Sequence, residues 1–110
     1  MFHMLSCFDL KPGENIGAFQ LAYRAFVDEM KRIDLLETTG PMGSRQADTP
    51  MDTDDAREHG YFVVMSFRDR QQADAAYAHI LQHIGPSDAA HDKVYPGVLN
   101  PVFICWRDLP

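Results

Sequence analysis

The chain has 110 residues, 45% hydrophobic and 24% charged, which excludes a disordered or collagen-like polypeptide. The formal charge is −6, and the ten Lys and Arg are scattered rather than gathered into a stripe, which argues against nucleic acid or an anionic membrane as a partner. This length suits a single domain, residues 1–110.

The opening run MFHMLSCFDLKPG lacks a basic n-region, and His3, Ser6 and Asp9 interrupt its apolar residues, so it does not read as a signal peptide. No stretch approaches the ~20 apolar residues of a membrane span. A cytoplasmic location is therefore expected, with Cys7 and Cys105 as buried, reduced thiols inside strands. The first strand is predicted from Phe2 to Leu10, closed by the turn Lys11-Pro12-Gly13. A helix follows from about Asn15 to Ile33. Ile16, Phe19, Tyr23, Phe26, Met30 and Ile33 recur three or four residues apart and form one apolar stripe.

Leu35–Thr39 reads as a second strand, bent or ended by Gly40-Pro41, with pairing resuming toward Ser44-Arg45. Gln46 to Gly60 shows no apolar period and much Asp, Thr and Pro, and is predicted to be a long surface loop acting as an acidic lid. Tyr61–Phe67 is the third strand. A second helix runs from about Arg70 to Ile84, capped by Asp69 and stopped by Gly85-Pro86. Its buried side is predicted to hold Ala73, Ala76, Tyr77, Ile80, Leu81 and Ile84. A short third helix over Ser87–Tyr95 precedes a last strand, Val98 to Arg107, which Pro101 marks as an edge or bulged element.

The order is β-α-β-β-α-β. Right-handed crossovers turn it into the ferredoxin-like α+β arrangement, a four-stranded antiparallel sheet with its helices on one face. Three strand segments are apolar at consecutive positions: Phe2–Phe8, Tyr61–Phe67 and Val102–Trp106. Side chains alternate between faces along a strand, so both sheet faces must be dry. The helices cover one face only. A second copy covering the other, through the open sheet face, gives a homodimeric α+β barrel.

The first strand with its His3, running into Leu10-Lys11-Pro12-Gly13, resembles the start of the stress-responsive A/B barrel proteins of the dimeric α/β-barrel superfamily. Ser87-Asp88-Ala89-Ala90-His91-Asp92-Lys93 is similar to the Ser/Thr…His…Lys segment after the second helix of antibiotic-biosynthesis-monooxygenase-type members. The resemblance implies a homodimer with a pocket between sheet and helices or inside the barrel. It implies no single activity, because the superfamily includes cofactor-independent monooxygenases, haem-degrading enzymes, cyclases and proteins of unknown function.

His3 and Asp9 share a strand face with Leu5 and Cys7, so His3 is a candidate general base or ligand anchor, or else a strand-end histidine bonded to backbone. Tyr61, Met65, Trp106 and Arg107 are candidate pocket residues beside His3 and Asp9, and His3, His91 and Tyr61 are the candidates for proton transfer. Val63 and Phe67 share the Tyr61 face, where all four could equally be dimer core. Arg45 and Arg57 bracket the acidic loop and would clamp a carboxylate, unless they pair with neighbouring Asp; His59 is a further candidate at the pocket. His79 and His83 have metal-ligand spacing but point away from the helix stripe. Asp52–Val63 fails as an EF-hand, with Arg57 where Gly is needed and Val63 where Glu is needed. No phosphate loop, G-x-S-x-G elbow or C-x-x-C is present. The expectation is a homodimer that binds a small apolar or aromatic molecule, with no metal and no cofactor. Its rivals are a cofactor-independent monooxygenase or related small-molecule enzyme, and a purely structural or regulatory dimer.

Overall fold

In the computed structural model, which describes residues 1–110, the chain folds as β1 (Phe2–Leu10), α1 (Ile16–Arg32), β2 (Thr38–Thr39), β3 (Gly43–Ser44), β4 (Tyr61–Phe67), α2 (Arg70–Leu81), α3 (Gly85–Val94) and β5 (Val98–Arg107). The sheet order is β2-β4-β1-β5, with β3 also on β4, and the pairs are antiparallel. This is the ferredoxin-like α+β arrangement, with its second strand in two pieces.

Asn15 starts α1 by accepting the Ala18 N–H at 3.0 Å on its side-chain oxygen. Lys31 and Arg32 in the last turn suit the helix dipole. The stripe buries Phe19, Tyr23, Phe26, Val27 and Met30 against Phe8, Val63 and Phe67 of the two central strands. That contact fixes the parity of the whole sheet. Phe2, Met4, Ser6 and Phe8 stand opposite Phe67, Met65, Val63 and Tyr61 and face the helices. His3, Leu5 and Cys7 stand opposite Ser66, Val64 and Phe62 on one side and Trp106, Ile104 and Val102 on the other, and face away. A polar pin crosses the helix side. Thr39 Oγ1 donates to the Val64 carbonyl at 3.1 Å, so it accepts from the Tyr23 hydroxyl at 2.7 Å, and burial pushes the Tyr23 phenol up to about 12.

Leu35 and Leu36, predicted to belong to the second strand, lie outside it. A left-handed Asp34 (φ 60°) reverses the chain, and Leu36 turns into the core before the ladder begins at Thr38. Gly40 and Pro41 then split the edge strand, which a proline without an N–H tolerates only there. Pro101 also lies on an edge strand, where a left-handed Asn100 (φ 51°) accompanies a register shift between β1 and β5.

The second helix is corrected in two respects. It ends at Leu81, because His83 takes φ 53°, and Gly85-Pro86 opens α3 instead of ending the helical segment. Ala76 and Gln72 are its buried residues, and Tyr77, Leu81 and Ile84, predicted to be buried, are exposed. Two features move the buried arc. Gln72 is pinned at the N-terminal end by its bonds to Arg68 N, the Asp34 carbonyl and Glu37, and α3 occupies the space against α1 that a longer α2 would fill. Cys105 is exposed on the helix-side parity of β5, whereas Cys7 is buried on the other face; both are free thiols.

The acidic loop is organised rather than loose. Arg45 grips Asp52 with two bonds of 2.8 Å, donates to the Asp54 carbonyl at 2.7 Å and also to the Arg57 carbonyl. Arg57 pairs with Asp54. The loop lies close enough to Cys7 for Arg45, Asp54 and Arg57 to act on its thiol, whose pKa is nevertheless raised, chiefly by burial. One end of the uncovered face is thus shielded by the chain itself. Phe26→Ala, which opens a cavity between α1 and α3, is expected to lower unfolding free energy by about 3–5 kcal/mol in urea titrations; a loss under ~1 kcal/mol would place Phe26 outside the core.

Candidate functional site

At the other end of that face lies a hydrogen-bonded string. His3 Nε2 meets Asp108 Oδ1 at 2.8 Å, and His3 Nδ1 meets Ser66 Oγ at 2.7 Å. An ionised carboxylate only accepts, so Nε2 carries a proton, and in the neutral ring Nδ1 then accepts from the Ser66 hydroxyl. Asp108 also takes the Met1 amino group at 3.2 Å. Its carboxyl is held below the usual carboxylate range, first by His3 and then by that amino group. The His3 ring lies 5.2 Å from the Trp106 ring, tilted by 34°. Leu5, Val64 and Ile104 continue the same face as an apolar field. Ile104 is 41% exposed and Trp106 42% exposed, although their ladder positions would suit a dry surface.

The string contains the residue types of an acyl-transfer triad but not the surroundings of one. Ser66 is the last residue but one of β4, paired with His3 on one side and Thr38 on the other. Such a position offers no turn or helix N-terminus whose N–H groups could receive an oxyanion. The arrangement instead presents a fixed polar group beside an indole, the combination that orients a small ring in an apolar pocket.

Of the residues singled out from sequence, the structure brings together His3 and Trp106 and disperses the others. Tyr61 and Met65 are on the opposite, helix-facing side of the sheet, packed against the core. Arg107 is opposite Phe2, on the helix-side parity, and exposed. Asp9 has a structural bond, accepting the Gly60 N–H at 2.8 Å. His91 lies in the helix layer, stacked on Tyr95 with centroids 5.5 Å apart and against Phe26 at 5.4 Å. His79 bonds Ser87 Oγ at 2.6 Å and His83 bonds Asp88 at 3.0 Å, so both turn to α3, and no three His, Cys, Asp or Glu converge as metal ligands would. Arg45 and Arg57 are spent on loop carboxylates, as their neighbouring Asp residues allowed.

Ser66 and Asp108 were missed. A usable signal for Asp108 existed, because a ferredoxin-like order lays the last strand beside the first and returns residue 108 to the start of the chain. Ser66 becomes visible only once the β1–β4 register is known.

No family model matches the sequence, and no curated protein matches it. Solved structures do match in fold. An Arabidopsis thaliana protein superposes with a TM-score of 0.73 at 7% identity, covering 100% of this chain and 97% of that one. A dimeric ferredoxin-like protein of unknown function from Jannaschia sp. CCS1 gives 0.64 at 15% identity, covering 97% and 98%. An antibiotic biosynthesis monooxygenase gives 0.58 at 12% identity, covering all of both chains. The fold is therefore the ferredoxin-like one that these structures share, and identities this low establish the fold alone. No helix is long and apolar enough to cross a membrane.

His91 generates a pH prediction. Burial holds its pKa below the ordinary imidazole value of about 6.5, against a weaker upward pull from Asp92 and Asp88 and with a small downward one from His83. The unfolded chain then takes the proton first, so stability is full above that ordinary value and falls as pH drops toward the lowered one. Thermal unfolding scans from pH 8 to 5 are expected to show this fall in the wild type, and a shallower one in His91→Phe; equal slopes would count against a buried neutral ring.

Proposed function

We propose that the chain acts as a homodimer whose two uncovered sheet faces meet and enclose a site for a small apolar or aromatic molecule. The observation that carries this reading is the Ser66–His3–Asp108 string beside Trp106, set in a field of Leu5, Val64 and Ile104 that one copy leaves open. The dimeric description of the Jannaschia protein supports the pairing. A second copy removes apolar surface from water at about 25 cal/mol per Å², and in β5 both Ile104 and Trp106 have that surface to give. Trp106 supplies an aromatic wall and His3 a polar anchor of fixed orientation. The monooxygenase reading is weaker, since His91 and Tyr61 lie away from this face and both nitrogens of His3 are engaged. A dimer whose interior is filled by its own side chains is the remaining rival.

Trp106 is the only tryptophan, so its fluorescence reports on this face alone. Ile104→Glu places a charge where the copies meet and is expected to weaken self-association at least about 100-fold by sedimentation velocity at micromolar concentration. Sedimentation identical to wild type would refute the interface. With 2-naphthol as probe, the wild-type dimer is expected to show saturable Trp106 quenching that Ile104→Glu loses. Linear, collisional quenching in both proteins would favour the filled interior.

A further inference from the structure

The rest of the chain leaves β5 open on three sides. The strand pairs with β1 alone, so the main-chain groups along its outer edge meet no other strand. Val98 is its only residue packed against the hydrophobic core. From Val102 onward the side chains alternate across the sheet. Ile104 and Trp106 belong to the open face, whereas Phe103 and Cys105, opposite Ser6 and Met4, belong to the helix-facing one. The helices do not extend over that second pair: Phe103 is 52% exposed, and Cys105 is exposed as well.

Soluble proteins blunt a free sheet edge with charge, proline, a bulge or a covering segment, because an open edge recruits other strands. In β5 such devices lie only at the beginning, where Pro101 and the register shift opposite Cys7 to Asp9 are found. Val102–Trp106 contains no charge, no proline and no irregularity in its pairing with β1. Stacking of two open faces accounts for Ile104 and Trp106 but leaves Phe103 and Cys105 in water. Successive residues of a strand are about 3.3 Å apart. A copy resting on Ile104 and Trp106 is therefore already at the free edge beside Phe103 and Cys105. That continuity selects a second copy of the chain as the occupant.

We propose that the second copy pairs an extended segment with the outer edge of β5, burying Phe103 and Cys105 on the far face together with Ile104 and Trp106. The strand is then gripped from both faces. The inference rests on the homodimer proposed above and adds a contact that stacking of the open faces does not require. Edge pairing supplies partners to the unpaired N–H and C=O groups, and the apolar side chains on both faces leave water in the same step.

The two cysteines make this testable. Cys105 reports the far face of β5, and Cys7, buried within a single copy, reports folding. Full-length wild type and Ile104→Glu are treated with iodoacetamide at pH 8 and micromolar concentration. Alkylation at each cysteine is followed by peptide mass spectrometry, and association by sedimentation velocity. Cys105 is expected to react at least about tenfold more slowly in the wild-type dimer than in dissociated Ile104→Glu, with Cys7 protected in both. The carboxylate introduced beside Cys105 disfavours its thiolate, so it cannot itself produce the faster rate. Phe103→Glu, on the face away from the stacked sheets, is expected to weaken self-association at least about tenfold while Cys7 stays protected. A wild-type dimer whose Cys105 reacts as fast as that of Ile104→Glu would overturn the edge contact and leave the open-face homodimer standing. Association of Phe103→Glu equal to that of wild type would do the same. Wild type that sediments as a single copy would remove both.

Discussion

The contact between the apolar stripe of α1 and one side of the central strand pair governs the rest of this molecule. Phe19, Tyr23, Phe26 and Met30 need an apolar surface of matching length, and Phe8, Val63 and Phe67 provide it. Once those strand residues point toward the helix, alternation leaves no freedom for their neighbours. His3, Leu5 and Cys7 must point the other way, and through the antiparallel register so must Ser66, Val64, Ile104 and Trp106. The candidate site is thus a by-product of core packing. A one-residue slip of β1 would exchange the two sets.

The uncovered face is protected unevenly. At the Cys7 end the loop held by Arg45 lies over it, the guanidinium making four hydrogen bonds, two to the Asp52 carboxylate and two to the Asp54 and Arg57 carbonyls of a backbone lacking its own ladder. At the His3 end no segment of the chain covers Ile104 and Trp106. Water there meets a broad apolar field containing one polar string, and all members of that string are bonded within the chain. A fully satisfied polar group on an apolar surface can be covered without the penalty of an unpaired one. Covering by a second copy is therefore compatible with its hydrogen bonding.

The Trp106 face has apolar surface to bury and its polar atoms already paired. That combination suits a ring or a second sheet. Fold similarity does not choose between them, since the same architecture is found in a monooxygenase and in proteins without a described activity.

Local chemistry alone made much of the fold legible. The three-four spacing in α1, the N-cap Asp69, the apolar runs of β1, β4 and β5, and the edge prolines Pro41 and Pro101 act within a few residues of themselves, so their element order and the ferredoxin-like topology could be read directly. His3 beside Trp106 was accessible for the same reason, because both parities follow from the strand pattern. Three things were decided only in three dimensions. Tyr77, Leu81 and Ile84 have helical spacing but lost their core position when α3 took the space against α1. Tyr61 and Met65 read as pocket residues until the register placed them under the helices. Ser66 and Asp108, 63 and 105 residues from His3, join it only because antiparallel pairing brings β4 and the chain end alongside β1. Period and capping are properties of short sequence, whereas partnership across a sheet depends on where distant segments come to rest.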